Sequence, residues 1–268
     1  MSDALGFLFQ MIVLTPVKEI CVDHRRLLQI QRDYLLPILN DQYQLNHYAD
    51  DIIQAQAKLL KGVDPSLMYQ LGQTIEKMIE MLSNANKHLK IKKFNALQRW
   101  LGLDIEYDAS QIEYYKKLDL LLAKANQLSQ RLRFEIQKSK NNIEKIHQYR
   151  EDMAHAIAAA EGFLQEYPKF VKNIHPLDNF SDRLSKKVMS LMTLQANNDI
   201  AITQMQLSQQ IALTLLDRFK EAQQVLIPAW QFHVKQSQQT SSGIDLEKLD
   251  DTRLNLISSL KNSLDKTR

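Results

Sequence analysis

One run constrains this chain more than any other: FSDRLSKKVMSLMTLQANNDIAITQMQLSQQIALTLLDRFKEAQQVLIPAW, from Phe180 to Trp230. No Gly or Pro falls between Pro176 and Pro228. As a single helix at about 1.5 Å per residue it would extend roughly 75 Å. Between Val188 and Leu216 the only charged residue is Asp199. A solvent-facing helix carries a charged face, so this one is expected to sit among other helices. Alternating steps of three and four pick out Val188, Leu191, Gln195, Asn198, Ile202, Met205, Gln209, Ala212, Leu216, Phe219, Gln223 and Leu226. That is a heptad seam, mostly apolar, with amides let in at intervals. A second apolar line through Ile200, Leu207, Ile211 and Leu215 predicts burial on more than one side. A membrane span is rejected, because a spanning helix needs about 20 predominantly apolar residues. Gln195, Asn197, Asn198, Gln204, Gln206, Gln209 and Gln210 are too many amides for that.

The rest of the chain points the same way. It has 268 residues with only 6 Gly and 6 Pro, which argues for long helices and against a sheet. Gln111 to Glu161 also lacks both breakers. Its apolar residues step through Leu118, Leu121, Ala125, Leu128 and Leu132, slip near Ile136, and resume through Ile143, Ile146, Met153, Ile157, Ala160 and Leu164. This is coiled-coil-like packing with a stutter. Its remaining faces are charged, so it reads as an outer, antiparallel partner of the central helix. Gly162 to Asn179, with Pro168 and Pro176, reads as the connection that reverses the chain, and Leu101 to Ser110 as a linker with a turn, capped by Asp108 or Ser110. Val17 to Leu60 is helical in pattern, with Pro37 as a kink or break. Lys61 to Ser66 reads as a stop and a new start: Gly62 supplies a left-handed cap, and Asp64 caps a helix with Pro65 in its first turn, running to about Trp100. Gln236 to Gly243 is a polar linker before an amphipathic helix over 247–266. The fold expected is all-α, an elongated bundle of long antiparallel helices with coiled-coil-like packing. Its division is a helical region over 1–100 and a long-helix bundle over 101–268.

Charge and motifs exclude more functions than they suggest. Lys and Arg total 34 against 31 acids, a net +3, which makes no case for nucleic acid or an anionic membrane as the main partner. Cys21 is the single cysteine, so no intrachain disulfide can form and a reducing, cytoplasmic compartment fits. Leu5 to Leu14 is apolar but lacks the positive flank of a signal peptide, and is too short to span a bilayer. It reads as a core segment, with a membrane-surface or partner-binding role as the alternative. Lys90, Lys92 and Lys93 form a small basic cluster, read as a solvated face, with an anion or lipid-phosphate contact as the alternative. His147, Glu151 and His155 fall on one helix face, but zinc usually wants a closer His pair and a further ligand. Polar contact between helices is the expectation there. No phosphate loop or nucleophile elbow is present. No catalytic residue, cofactor or metal is therefore expected, and the chain is read as a non-enzyme. Gln195, Asn198 and Gln209 should hydrogen-bond across helices, since an unpartnered buried amide costs about 1–3 kcal/mol.

Three motifs carry a resemblance. Gln204-x-x-Leu207-x-Gln209 followed by Ile227-Pro228-x-Trp230 resembles the TelA/KlaA toxic-anion-resistance family, whose glutamine-rich helix closes on Ile-Pro-Leu-Trp; Ala229 replaces the Leu here. Gly243-Ile244-Asp245-Leu246-Glu247-x-Leu249 resembles the family's C-terminal helix start, one residue short. Trp100-Leu101-Gly102 is a weaker third block. The resemblance covers about residues 95–268. The family's helical hairpin between the Trp motif and the C-terminal block has only 231–242 in its place, as in a shortened member. The resemblance implies a non-enzymatic helical scaffold with a role in tellurite resistance or stress. It implies protein partners such as XpaC-like helical stress proteins and a peripheral contact with the inner face of the membrane; a homo-oligomer is a separate expectation from the long helices. The candidate interaction residues are Arg183, Gln195, Asn198, Gln204, Gln209 and Trp230, with register control in the bundle as the main reading of the seam amides and a binding groove or oligomer seam as the alternative. The alternative reading is an elongated helical oligomer, structural or bound to a membrane surface.

Overall fold

The computed structural model describes residues 14–84, 103–170, 179–228 and 258. Among them every regular element is helical. In chain order these are α1 (His24–Ile30), α2 (Gln42–Asn46), α3 (Asp50–Leu59), α4 (Pro65–Ser83), α5 (Leu103–Phe170) and α6 (Phe180–Glu221). Short 3-10 and π turns join or extend them. This is the all-α bundle of long helices that breaker scarcity predicts.

The N-terminal region is more segmented than its periodicity suggests. α1 loosens into a π turn at Gln31–Leu35, where the Leu36 N–H bonds the Gln31 carbonyl at 2.9 Å. Pro37 then opens a 3-10 turn, because it has no N–H to continue the ladder. Asp41 takes over the next orphan donors, accepting from the N–H groups of Tyr43 and Gln44 at 3.0 Å each. Ala49 sits at φ 60°, a left-handed conformation rare for a residue with a Cβ, and the chain turns there into α3. Asp64 caps α4 by accepting from the Ser66 N–H at 2.8 Å, with Pro65 in the first turn, as expected. Gly62 differs from expectation: its backbone is not left-handed, and a Cβ added there would come only into ordinary contact with Ser208.

Two expected breaks are absent. Residues 103–110 belong to α5 and are not a linker, so Asp108 and Ser110 lie inside the helix and do not cap it. Nothing between Leu103 and Ser110 forbids helix, and continuity with the long helix outweighs the capping preference of two short polar side chains. At the other end α5 runs past Gly162 and through Pro168 to Phe170. Gly162 serves close approach instead of a turn: a Cβ there would meet the Gln31 Nε2 at 3.1 Å, the same amide that donates to the Ala159 carbonyl at 3.0 Å. Pro168 stands in the last turn, where its missing N–H removes one bond and little follows to be broken.

The chain forms two compact units, residues 1–62 with 138–209, and 63–137 with 210–268. The expected boundary near residue 100 lies outside the described residues. In the first unit, Met153, Ile157, Ala160 and Phe163 of α5 pack with Leu184, Val188 and Leu191 of α6 and with Leu35, Leu45 and Tyr48. A smaller cluster gathers Ile143, Ile146, Ile202 and Met205 with Leu14, Leu59 and Leu60. The run of alanines from Ala154 to Ala160 lets backbones approach closely, and Tyr48 reaches in to donate its hydroxyl to the Ala156 carbonyl at 2.8 Å. In the second unit, Leu71, Ile75, Met78 and Ile79 of α4 meet Leu118, Ala125, Leu128 and Leu132 of α5 and Ala212, Leu216 and Phe219 of α6.

The heptad seam of α6 is the buried face: Leu191, Ile202 and Ala212 are fully enclosed. The α5 seam is likewise inward-facing, including its resumption after the slip at Ile136. The two helices run antiparallel, fixed in the first unit by Arg150 against Asp199 and Ser139 against Gln209. Asn126 against Gln223 repeats the register in the second. The second apolar line does not behave as predicted. Leu215 is buried, but Ile200, Leu207 and Ile211 are exposed at 59%, 52% and 37%, together with Met189 at 66%. A low charge density is thus not a sign of burial all round on this helix. Its described neighbours cover one side.

Candidate functional site

Asp199 is the lone charge in the apolar run of α6, and a buried carboxylate demands a partner. Arg150 of α5 supplies it. The guanidinium grips the carboxylate with two bonds, Nε to Oδ1 at 2.7 Å and Nη2 to Oδ2 at 2.9 Å. The Arg150 side chain is 5% exposed and that of Asp199 20%. Arg150 Nη2 also donates to the Thr15 carbonyl at 2.6 Å, tying the incoming N-terminal segment to both long helices. A fork of donors matched to a carboxylate is the geometry that Arg supplies and Lys does not.

The amides extend this pair into a chain. Gln195 donates from Nε2 to Asp199 Oδ1 at 2.7 Å. Its own Oε1 accepts from Gln56 Nε2 of α3 at 2.9 Å, and Gln56 Oε1 accepts from Asn198 Nδ2 at 2.6 Å. Every link runs donor to acceptor toward the one negative charge, so the network is satisfied along its length. Gln56 and Gln195 are fully buried. The spacing explains the set: residues three and four apart share a helix face, so Gln195, Asn198 and Asp199 all meet the same neighbours. One step further along, Gln209 Nε2 donates to the buried Ser139 Oγ at 2.9 Å. Near the start of α6, Lys187 bridges the Asn46 carbonyl and Asp50, each at 2.6 Å.

Of the residues singled out in the sequence, Gln195 and Asn198 come together here and Gln209 binds a separate partner. Gln204 is exposed and Arg183 half-buried, and neither joins the network. Trp230 lies outside the described residues, as do Lys90, Lys92 and Lys93. Arg150 and Gln56 were not singled out. The signal for Arg150 was Asp199 itself, a charge with no counterion on its own helix. Gln56 had no comparable signal, since its segment reads as an ordinary amphipathic turn.

Asp199 spends both oxygens on Arg150 and Gln195. His155 is buried with both ring nitrogens engaged: Nε2 accepts from the Asp23 N–H at 3.0 Å, and Nδ1 lies 2.6 Å from the Glu151 carbonyl. A carbonyl can only accept, so the neutral ring carries its proton on Nδ1. His155 therefore pins the N-cap of α1 to α5 and has no lone pair left for a metal. Glu151 is exposed, and no group of three or more His, Cys, Asp or Glu among the described residues could hold a metal ion. His147 is half-buried beside the network. Burial lowers its pKa from the usual value, with the Arg150 charge second, while Asp199 and Glu151 pull the other way. No helix among the described residues is long and apolar enough to cross a membrane.

The sequence matches no family model, and no solved structure matches it. It is similar to Protein KlaA of Escherichia coli, at 29% identity over 167 residues, which is 61% of this chain and 65% of KlaA. The match thus spans less than two thirds of that relative's length. This similarity supports the TelA/KlaA-like resemblance that the glutamine-rich helix and the Ile227-Pro228-x-Trp230 motif imply.

Proposed function

We propose that this chain is a non-enzymatic helical scaffold acting in resistance to toxic anions such as tellurite. The observation that carries the reading is the similarity to KlaA over 167 residues. The buried polar groups agree with it: the Arg150–Asp199–Gln195–Gln56–Asn198 chain is consumed by its own hydrogen bonds and holds helices in register. Cys21 is a single exposed thiol, and two-electron reduction of an oxyanion by protein thiols would draw on a pair. The chain works in the cytoplasm through protein partners of helical, XpaC-like kind, with a peripheral membrane contact where those partners assemble.

The test is survival. Tellurite-sensitive cells expressing the chain should grow at tellurite concentrations that stop the empty strain, while the purified protein should not consume tellurite. Equal sensitivity of both strains would sink the reading, and turnover of tellurite by pure protein would replace the scaffold with an enzyme.

A further inference from the structure

A cavity of about 330 Å³ opens within the first unit, between α1, the start of α3 and α5. It is at the small end of the range of ligand sites, about 300–1,000 Å³, which suits one side chain or a small molecule and no large cofactor. On α5 it is lined by Ala156, too short to fill the space, and on α1 and α3 by the half-buried Ile30 and Ile52. Tyr34 and Tyr48 add aromatic walls. Tyr34 is 62% exposed, whereas Tyr48 is buried with its hydroxyl spent on the Ala156 carbonyl.

The charges in this cavity do not balance. Arg26 and Asp152 stand in its wall as an ion pair and cancel. Asp51 is exposed and has no hydrogen-bond or ion-pair partner among the described residues, so one carboxylate is left over. Its neighbour Asp50 is already held by Lys187. The Asp51 charge reaches the cavity wall: burial, then that charge, raise the pKa of the Tyr48 phenol above its usual value. A carboxylate in the first turn of α3 is favoured by the helix dipole. That accounts for its position, but not for the aromatic hollow in front of it. Ala49 belongs to the same wall, and it is the one non-glycine residue with positive φ among the described residues. Backbone strain of this sort gathers at ligand clamps, where the surroundings hold it in place.

Unspent negative charge disfavours an anion and calls for a cation. A carboxylate with both oxygens free, beside aromatic rings, matches a planar guanidinium better than a compact ammonium. The fork of donors takes both oxygens, and the flat cation stacks on a ring. The Arg26–Asp152 pair in the same wall is this recognition made within the chain. We propose that the cavity binds a guanidinium group through Asp51 and Tyr34, supplied by an arginine of a partner protein or by a free guanidino compound. The first source deepens the scaffold reading, and rests on it, by naming what a partner presents.

The test is ligand-detected NMR on the full chain at low salt, with N-acetylarginine methylamide, its lysine counterpart and agmatine as probes. The arginine probe should bind, and the lysine probe should bind at least about threefold more weakly. Asp51→Asn should weaken the arginine probe at least about tenfold, since a neutral amide replaces the charged acceptor. Tyr34→Ala should weaken it about threefold. Both side chains are exposed, so helicity by circular dichroism should match the parent. Binding of the arginine probe supports a partner's side chain as the source, and binding of agmatine alone assigns the site to a free compound. Absence of binding by either, equal affinity for the arginine and lysine probes, or unchanged binding in Asp51→Asn would overturn the proposal. A chain that protects cells against tellurite but binds no guanidinium would remove this inference and leave the scaffold reading standing. One that binds without protecting would do the reverse.

Discussion

The two units of this protein solve the same packing problem with different chemistry. In the unit built from residues 63–137 and 210–268, α4, α5 and α6 meet through Leu71, Ile75, Leu132, Ala212 and Phe219, and the amide pair Gln223–Asn126 is only half-buried. In the unit built from 1–62 and 138–209, the same two long helices close over Arg150, Asp199, Gln195 and Gln56. Apolar cores are tolerant of register, because one Leu packs much like another. A donor–acceptor chain is not, because a helix slid by one turn strands a buried charge. The short helices α1 to α3 have little length with which to define their own position. They are held by polar contacts at Asp23, Tyr48, Gln56 and Thr15.

Breaking the ion pair should produce the largest effect. Arg150→Ala leaves the partly buried Asp199 without its counterion and is expected to cost at most about 3–5 kcal/mol, the figure for a fully buried pair. The double change Arg150→Met with Asp199→Leu should recover most of that, since a well-packed apolar pair often replaces a buried ion pair at little cost. Thermal unfolding of the three proteins measures this. A single mutant as stable as the parent would show that the network does not hold the first unit.

Leu216→Ala makes the matching cut in the apolar unit. The residue is 7% exposed within the α4–α5–α6 core, and truncation should cost roughly 2–5 kcal/mol. Hydrogen exchange sharpens the comparison. Leu216→Ala should speed exchange first in α4, whereas Arg150→Ala should speed it first in α3. Identical patterns would mean that the two cores open as one.

Next comes Gln209→Leu, which strands the buried Ser139 hydroxyl and should cost about 1–3 kcal/mol. Adding Ser139→Ala removes the orphan and should return the loss. If the double mutant stays as unstable as the single one, Gln209 matters for its packing and not for its hydrogen bond.

What could be read in the sequence follows from the same physics. Apolar spacing of three and four reports which face of a helix is buried, so the α6 seam and the α5 seam, with its slip at Ile136, were legible. Breakers report where helix is disfavoured in isolation, which is why Gly162 and Pro168 misled: a tertiary close approach at Gln31 and a position in the last turn override them. The exposed line through Ile200 and Leu207 departs from its expected burial for a similar reason. Periodicity shows that a face is apolar, but not whether this chain supplies the cover. Asp199 was conspicuous, yet its partner 49 residues away could not be chosen from the many basic residues of α5 without the antiparallel register.

The smallest expected effect is a pH dependence that belongs to the polar unit alone. His147 lies beside the Arg150–Asp199 pair, and burial, then the Arg150 charge, hold its pKa below the usual value. A base whose pKa is depressed on folding binds its proton more readily in the unfolded chain. Its contribution to stability is therefore fully present above the unfolded histidine value of about 6.5 and is lost as pH falls through the lower folded value. Unfolding measured between about pH 7.5 and 4.5 should show the parent losing stability through this window faster than His147→Gln, which cannot take up a proton. Leu216→Ala should run parallel to the parent, displaced downward, because it touches no titrating group in the other unit. Equal slopes for parent and His147→Gln would mean that the imidazole is as well solvated folded as unfolded, and that its place next to Arg150 leaves no electrostatic trace.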